Sequence, residues 1–223
     1  VRIQLMIASP LYNHSAPWFH GTMHHFNVWG KPPLTPASKA LAPHSFISLS
    51  SNINYAELHK GPHGKICSAM LSPAAKTLDL REKSLDALLL YKKIRSTTLG
   101  SKYYGLTSYS EWHNACKTGS ILRFMFSCRS DHPTLFEQQD IIKQSTDNHA
   151  VSEAVLFTHN FTREWIETVI SPAKKMGYDC VICNELEKSL SATPSTQLFV
   201  FEPEFLSAPN WLVSTQPTIL SRS

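Results

Sequence analysis

The sequence predicts an α+β fold in a single domain that covers residues 1–223. Short apolar stretches with the composition of strands alternate with segments whose apolar residues recur at helical spacing. Their order is irregular, without the strand–helix–strand repeat of parallel α/β proteins and without an internal sequence repeat. A chain of 223 residues with 42% hydrophobic and 17% charged residues can bury one substantial core.

Strands are predicted where short apolar or β-branched runs end at turn residues. In chain order, they cover 2–7, 18–20, 46–49, 65–71, 77–80, 178–183, 197–201 and 211–213. The run 121–128 is also suited to a strand, whereas 151–157 fits a strand or a short helix. The proline-rich segment 30–36 and the polar segment 95–107 are predicted to be loops.

Helices are predicted from apolar spacing and from the capping residues that precede it. They cover 37–41, 55–60, 82–94, 108–117, 134–142 and 162–170, with a helical turn at 23–29. Ser108 and Thr134 each stand three residues before a glutamate, which is the capping-box pattern. Asn52 or Asn54 supplies the N-cap of the helix at 55–60.

Charge and cysteine content narrow the class of protein. The net charge is +4, and its lysines form only small clusters, so a basic stripe for nucleic acid is not predicted. No run of eighteen apolar residues predicts a transmembrane helix. Five scattered cysteines favour reduced thiols in a cytoplasm-like compartment over a disulfide scaffold.

The first candidate motif is His20-Gly21-Thr22, which follows the aromatic pair Trp18-Phe19 at the end of a predicted strand. It offers an imidazole, a backbone without a side chain and a hydroxyl group to a single ligand. A glycine lets another group approach the main chain closely. A buried, hydrogen-bonded histidine is the structural alternative.

The second motif lies about thirty residues further along the chain. Ser48 and Ser50 end a predicted strand, and Asn52 and Tyr55 begin the helix that follows. A tyrosine in this position can stack on an aromatic ligand, and an asparagine can bond an amide. Tyr55 packed into the core is the equally acceptable alternative.

The order of these motifs resembles the ADP-ribosyltransferase superfamily. The resemblance is to its His-Tyr-Glu branch, which includes diphtheria toxin and the poly-ADP-ribose polymerases. In that branch a strand ends in His-Gly-Ser/Thr, a second strand leads into a helix with Asn-Tyr, and a late strand begins with glutamate. Further strands of toxin and phage members are similar to residues 65–71, 176–182 and 194–203 of this chain. The resemblance implies a split β-sandwich of two small mixed sheets flanked by helices.

The resemblance also implies a function. NAD is the expected substrate, bound in a cleft between the two sheets. His20 and Thr22 would place the ribose, Gly21 would hold the nicotinamide amide, and Tyr55 would stack on the ring. Ser48, Ser50 and Asn52 complete the expected NAD-binding set.

Relatives of this kind are often bacterial effectors, toxins or phage proteins, and some are secreted into a host cell. The expected acceptor of ADP-ribose is a host macromolecule, first a protein and alternatively a nucleic acid.

One position departs from the family pattern. Gln197 stands where active relatives usually carry the catalytic glutamate. An amide keeps the hydrogen bond but loses the negative charge that stabilises a cationic transition state. Glu202 is not a direct substitute, since five strand residues span roughly 16 Å and an odd spacing places it on the opposite face. Glu153 and Glu185 remain open as sources of the charge.

Two alternatives to an active transferase follow. A protein with this fold and without the charge at Gln197 would be a binding module that has lost catalysis. Cys180-Val181-Ile182-Cys183 raises the possibility of an unrelated zinc-binding domain. A single CxxC is weak evidence for it, because strand residues three apart face opposite sides. The expected site therefore contains no metal.

Overall fold

The protein is described from a computed structural model, which defines residues 16–30, 44–103, 108–122, 133–186 and 194–212. Within these ranges it is a mixed α+β protein with a seven-stranded sheet. The predicted elements at 2–7 and 37–41, the loop at 31–36 and most of 121–128 lie outside the described residues.

The sheet has the strand order β4-β5-β6-β2-β1-β3-β7. Its strands are β1 (Trp18–Thr22), β2 (Ile47–Ser50), β3 (Lys65–Ala69), β4 (Thr77–Asp79), β5 (Cys180–Glu185), β6 (Ser195–Val200) and β7 (Asn210–Trp211). The pairing of β4 with β5 is parallel, and the other five named pairings are antiparallel. The weakest strand pairing lies at the centre of the sheet, where β1 and β2 share the single register pair Phe19–Ser50. We call this β1–β2 pairing the central seam.

The described helices lie between these strands in the chain. They are α1 (Ile53–His59), α2 (Leu85–Arg95), α3 (Thr98–Tyr103), α4 (Tyr109–Thr118), α5 (Pro133–Gln144), α6 (Asn148–Ile170) and α7 (Pro172–Lys175), with a short 3-10 helix at Pro203–Phe205. The capping box predicted at Ser108 is confirmed, and Gly119 closes α4 in the left-handed conformation with a φ of 80°. Asn52 is the observed N-cap of α1.

The core has two parts. One buried cluster joins Leu90 of α2, Trp112 of α4 and Trp165 of α6 to Phe199 of the sheet. The other contains alternate strand residues, including Leu49, Leu198 and Val200, and is covered by Trp29 and Leu206. Successive residues of β5 follow this division: Cys180 and Ile182 belong to the second cluster, and Val181 and Cys183 belong to the first.

Several sequence predictions need correction. The ambiguous segment 151–157 is neither a strand nor a short helix, because it is part of the 23-residue helix α6. The segment 98–103 is helical rather than a loop, and 23–29 forms bends rather than a helical turn. The α+β class is confirmed, with the strands in one seven-stranded hydrogen-bonded order, and the split β-sandwich stays a prediction. Within the described residues, no helix combines the length and apolarity needed to cross a bilayer.

Gly21 is a steric requirement for the position of α1. A Cβ atom at this residue would lie 1.9 Å from the carbonyl oxygen of Ala56 and 2.8 Å from the backbone nitrogen of Lys60. Helix backbone therefore covers the side of Gly21 on which a Cβ atom would project, and this contact sets α1 against β1. The close backbone approach expected at Gly21 is thus made by α1, and the contact of its backbone with a ligand amide stays a prediction.

We expect Gly21→Ala to destabilise the protein by about 1–3 kcal/mol, the usual range for overpacking a close contact. The strand and α1 must separate to admit the methyl group, which no side-chain rotation can relieve. Urea unfolding at equilibrium, monitored by tryptophan fluorescence, measures the change.

Gly30→Ala is the matched control, because a Cβ atom there would meet nothing within 4 Å. Its expected effect is within about 0.5 kcal/mol, as for ordinary surface substitutions. Equal free energies of unfolding for the two variants would show that α1 does not depend on this contact.

Candidate functional site

A cavity of about 210 Å³ lies on the sheet face that carries the first core cluster. Its floor comes from β2 and β6, and α1 and α6 contribute to its walls through Tyr55 and Ile166. Side chains from four distant segments of the chain therefore meet around one space. Six of the predicted site residues line it: His20, Gly21, Ser48, Ser50, Tyr55 and Gln197.

His20 reaches this cavity through the weak central seam of the sheet. Its Nδ1 lies 2.8 Å from the carbonyl oxygen of Ser48, in the place where a fully paired β1 would offer a backbone group. Since a carbonyl oxygen can only accept, Nδ1 carries the hydrogen. Trp29 and Phe26 hold the other side of the ring at centroid distances of 5.6 and 6.3 Å.

The electrostatics of His20 favour a neutral ring. Burial lowers the pKa of the imidazole below its ordinary value, and the hydrogen bond to Ser48 opposes this effect only in part. A neutral ring with its hydrogen on Nδ1 has a lone pair on Nε2. The site thus contains a buried acceptor that suits a hydroxyl group of a ligand.

Gln197 sits beside Ser50 at the centre of the cavity floor. The two residues are directly opposite each other in the β2–β6 register, and Nε2 of Gln197 donates to Oγ of Ser50 at 3.2 Å. Ser50 Oγ also accepts from the backbone nitrogen of Asn52 and lies 3.0 Å from the hydroxyl of Ser195. Gln197 is 1% exposed, so its amide is held rigidly among hydrogen-bonding partners.

Tyr55 closes one end of the cavity from α1. It is buried, and its ring lies 4.6 Å from that of His59, which also lines the cavity. The structure therefore gives this tyrosine both roles that the sequence left open, since it packs in the core and presents a face to the cavity.

Two predicted site residues do not line the cavity. Oγ1 of Thr22 accepts a hydrogen bond from the backbone nitrogen of His24, in the turn after β1. Oδ1 of Asn52 accepts one from the backbone nitrogen of Asn54 and so caps α1. Both side chains serve local backbone structure, and their assignment as NAD-binding residues stays a prediction.

The structure separates the three glutamates considered as sources of negative charge. Glu185 lines the cavity, whereas Glu153 is exposed on α6 beside His149, and Glu202 forms an ion pair with Lys174 outside the cavity. Glu185 pairs with Ser195 at the end of β5, and Gln197 pairs with Cys183 two residues away. Residues two apart in a strand share a face, so Glu185 and Gln197 are diagonal neighbours on the cavity side.

The backbone around Gly119 helps to fix Glu185. The nitrogen of Leu186 donates to the carbonyl oxygen of Gly119, and a Cβ atom at Gly119 would lie 3.0 Å from Cα of Glu185. The end of β5 can therefore rest directly on the turn that closes α4. Sequence reasoning named this glutamate but had no signal that β5 would continue as far as residue 185.

The cavity also contains a histidine to which the sequence analysis gave no role. His44 lies just before β2, lines the cavity and stacks on Phe46 with a centroid distance of 4.8 Å. Its Nδ1 is 3.0 Å from Oε1 of Glu167 on α6. Phe46, just before β2, also lines the cavity, whereas Ile47 belongs to the second core cluster.

The two cysteines of the CxxC motif face opposite sides of the sheet, as predicted. Cys180 lies 3.0 Å from the hydroxyl of Thr77, and Cys183 packs near the backbone of Cys116. Because they face opposite sides, the two cysteines do not form a pair of ligands for one zinc ion, so this motif does not support the alternative of a zinc-binding domain. Among the described residues, histidines, cysteines and carboxylates do not gather in groups of three or more suited to a metal ion.

Comparisons with protein-family models, with curated proteins and with solved structures gave no match to this chain.

The lowered pKa of His20 predicts how stability depends on pH. The unfolded chain binds a proton at this residue near the ordinary pKa of about 6.5, whereas the folded chain resists it. The free energy of unfolding should therefore fall as the pH decreases from about 6.5 to the lowered folded value. His20→Asn cannot titrate, so it should lose less stability over the same range. Urea unfolding at several pH values checks this.

His149→Asn serves as the control for this measurement, because His149 is an exposed histidine on α6. Its pH profile should follow that of the wild type. If His20→Asn also kept the wild-type profile, the protonation of His20 would not be linked to folding.

Proposed function

We propose that this protein binds NAD in the cavity and is an ADP-ribosyltransferase that moves ADP-ribose to an acceptor and releases nicotinamide. The acceptor would be a macromolecule, first a host protein and alternatively a nucleic acid, as for effectors and toxins of this kind. NAD is a substrate in this proposal. No metal takes part in it.

One observation carries the proposal. His20, Tyr55 and Gln197 come from three distant parts of the sequence, and all three line the same cavity. The family resemblance requires this convergence. If the similarity of the three short motifs were due to chance, there would be no reason for their residues to line the same cavity.

The sheet offers secondary support for an ADP-ribosyltransferase-like split β-sandwich. The single pair between β1 and β2 divides the strands into the groups β4-β5-β6-β2 and β1-β3-β7. His20 lies at the boundary between these groups. A ligand cleft at such a boundary is what the resemblance implies.

The size and chemistry of the cavity suit one part of the substrate. Its volume of about 210 Å³ is below the roughly 300–1,000 Å³ typical of pockets that enclose a whole ligand. It therefore fits the nicotinamide ribose half of NAD, and the adenosine half would extend outside it. Its aromatic walls and few polar groups are the lining expected around a pyridine ring and a sugar.

The residues have distinct roles in this proposal. Tyr55 stacks on the nicotinamide ring, and the backbone of Gly21 holds its carboxamide. Nε2 of His20 accepts from a ribose hydroxyl, because its other nitrogen is committed to Ser48. Gln197 lies beside the reacting carbon, with Ser50 fixing its amide. Ser48 contributes to the floor between them.

Glu185 supplies the charge that Gln197 lacks. Departure of neutral nicotinamide leaves positive charge on the ribose, and a fixed carboxylate close to that charge lowers the barrier. Glu185 is the glutamate that lines the cavity among the described residues. Its diagonal position relative to Gln197 brings its carboxylate to the same face of the sheet.

The second candidate is a binding module that has lost catalysis. The observation in its favour is the neutral amide of Gln197, which is 1% exposed and already hydrogen-bonded to Ser50. Both candidates require NAD to bind. They differ in whether nicotinamide is released, and this difference decides between them.

The binding step is tested by calorimetry with NAD and with nicotinamide. Tyr55→Ala should weaken the binding of both several-fold, because an aromatic stacking contact is worth on the order of 1 kcal/mol. The matched control is Leu58→Ala, an exposed position on the same helix outside the cavity lining. Its dissociation constants should equal those of the wild type, and the absence of any heat of binding to the wild type would refute the proposal.

The catalytic step is tested by the release of labelled nicotinamide from NAD. Glu185→Gln should reduce kcat by about 10²-fold, the effect of removing one preorganised electrostatic contact, with little change in NAD affinity. Glu153→Gln is the control, since Glu153 is exposed on α6.

Release at the wild-type rate in Glu185→Gln would remove this residue from the mechanism. NAD binding without measurable nicotinamide release in the wild type would favour the binding module.

A further inference from the structure

His44 and Glu167 form a buttressed pair at the edge of the cavity. Nδ1 of His44 lies 3.0 Å from Oε1 of Glu167, and since an ionised carboxylate can only accept, Nδ1 carries the hydrogen. The same carboxylate accepts from the backbone nitrogen and the hydroxyl of Ser45, both at 2.7 Å. Three hydrogen bonds therefore fix both oxygens of Glu167 and the plane of the imidazole.

The imidazole is also held on its face and opens onto the cavity. It stacks on Phe46 at an angle of 22°, and Phe46 in turn contacts Phe199 of the cavity floor edge to face. His44, Phe46, Ser48 and Ser50 follow each other at intervals of two residues, and all line the cavity. Nε2 of His44 makes no hydrogen bond within the described parts of the chain, so its lone pair is available to a ligand.

The hydrogen bonds of the pair keep Glu167 ionised. Burial raises the pKa of Glu167, but the hydrogen bonds from His44 and Ser45 outweigh it, and the pKa lies below its ordinary value. Glu167 is therefore negative at neutral pH, and a carboxylate on Nδ1 stabilises an imidazolium. Arg163, one turn earlier on α6, also interacts electrostatically with Glu167.

A surface pair of the same residue types lacks the fixed geometry and the cavity contact of His44 and Glu167. His149 and Glu153 also involve α6, but they are 3.9 Å apart, with side chains that are 80% and 73% exposed. Such a pair neither fixes a tautomer nor lines a cavity. The chain thus provides its own comparison for a histidine–glutamate pair without a site.

We propose that His44 is the general base that activates the acceptor, and that Glu167 is its positioning residue. This inference rests on the proposed function. Nε2 of His44 takes the proton of an acceptor hydroxyl while the oxygen forms a bond to the anomeric carbon of the ribose. The bond from that carbon to the pyridine nitrogen breaks, and its electron pair leaves with neutral nicotinamide.

The pair also defines the chemical class of the acceptor. A neutral hydroxyl, as in water, serine or a sugar, must lose a proton when its oxygen forms the new bond, so it gains from a base. A carboxylate acceptor has no proton to lose. The pair therefore favours an acceptor that loses a proton in the reaction, such as a hydroxyl group, over a carboxylate.

The test uses the full chain, with NAD as the donor and water or added methanol as the acceptor. We expect the wild type to form ADP-ribose and, with methanol, its methyl glycoside. His44→Gln should lower kcat for both products by about 10²-fold, the lower end for loss of a general base, with the NAD dissociation constant unchanged. In His44→Gly, added imidazole should restore part of the rate, which a purely structural role would not allow. His149→Gln should behave as the wild type.

The role of Glu167 has a readout that needs no substrate. In ¹⁵N NMR spectra of the imidazole, the wild type should show His44 with its hydrogen on Nδ1. Glu167→Gln should lose this preference and lower kcat without changing NAD affinity. A wild-type tautomer and rate in Glu167→Gln would show that it does not position His44.

The outcomes separate this inference from the proposed function. Binding and nicotinamide release at the wild-type rate in His44→Gln, or no rescue by imidazole, would overturn the inference alone. Binding without turnover in the wild type would also overturn it and leave the NAD site standing. No binding of NAD to the wild type would overturn the proposed function and this inference together.

Discussion

The hydrogen bond from Nδ1 of His20 to the carbonyl oxygen of Ser48 is the interaction on which the site depends. It spans the seam where β1 and β2 share only the pair Phe19–Ser50. A regular ladder would join the strands more tightly, but it would leave no gap for a side chain to enter. The imidazole therefore ties the two groups of strands together and brings a polar group to the cavity. One ring thus joins the two groups of strands and lines the cavity.

The helices complete the site by reaching around the sheet. Helix α1 is held against β1 through the close contact at Gly21, and this contact brings Tyr55 to one end of the cavity. Helix α6 is tied to the segment before β2 through Glu167, which bonds both His44 and Ser45. Each wall is thus anchored by backbone or buried polar contacts, so its side chains have fixed positions before a ligand arrives.

Local patterns predicted the elements better than their extents or partners. The capping box at Ser108 and the alternation along β5 are local, so the sequence contains all the information needed to predict them. The polar stretch 184–196 concealed the last residues of β5, because strand pairing with β6 outweighs weak local propensity there. The side chains of Asn52 and Thr22 accept hydrogen bonds from backbone nitrogens two residues away. Such local bonds compete with ligand binding, and the residue type alone does not tell which of the two a side chain makes. His44 and Glu167 are 123 residues apart, and nothing local links them.

Two adjacent antiparallel strands can present the same functional group to one space from either strand. Glu185 and Gln197 belong to adjacent strands, and their diagonal placement aims both side chains at one space. A carboxylate lost at one position can be regained across the ladder without moving the backbone. Under the proposed function, inspection of position 197 alone would classify the chain as inactive, although Glu185 on the adjacent strand would supply the carboxylate. Surveys of degenerate enzymes should therefore score the three-dimensional neighbourhood and not one column of an alignment.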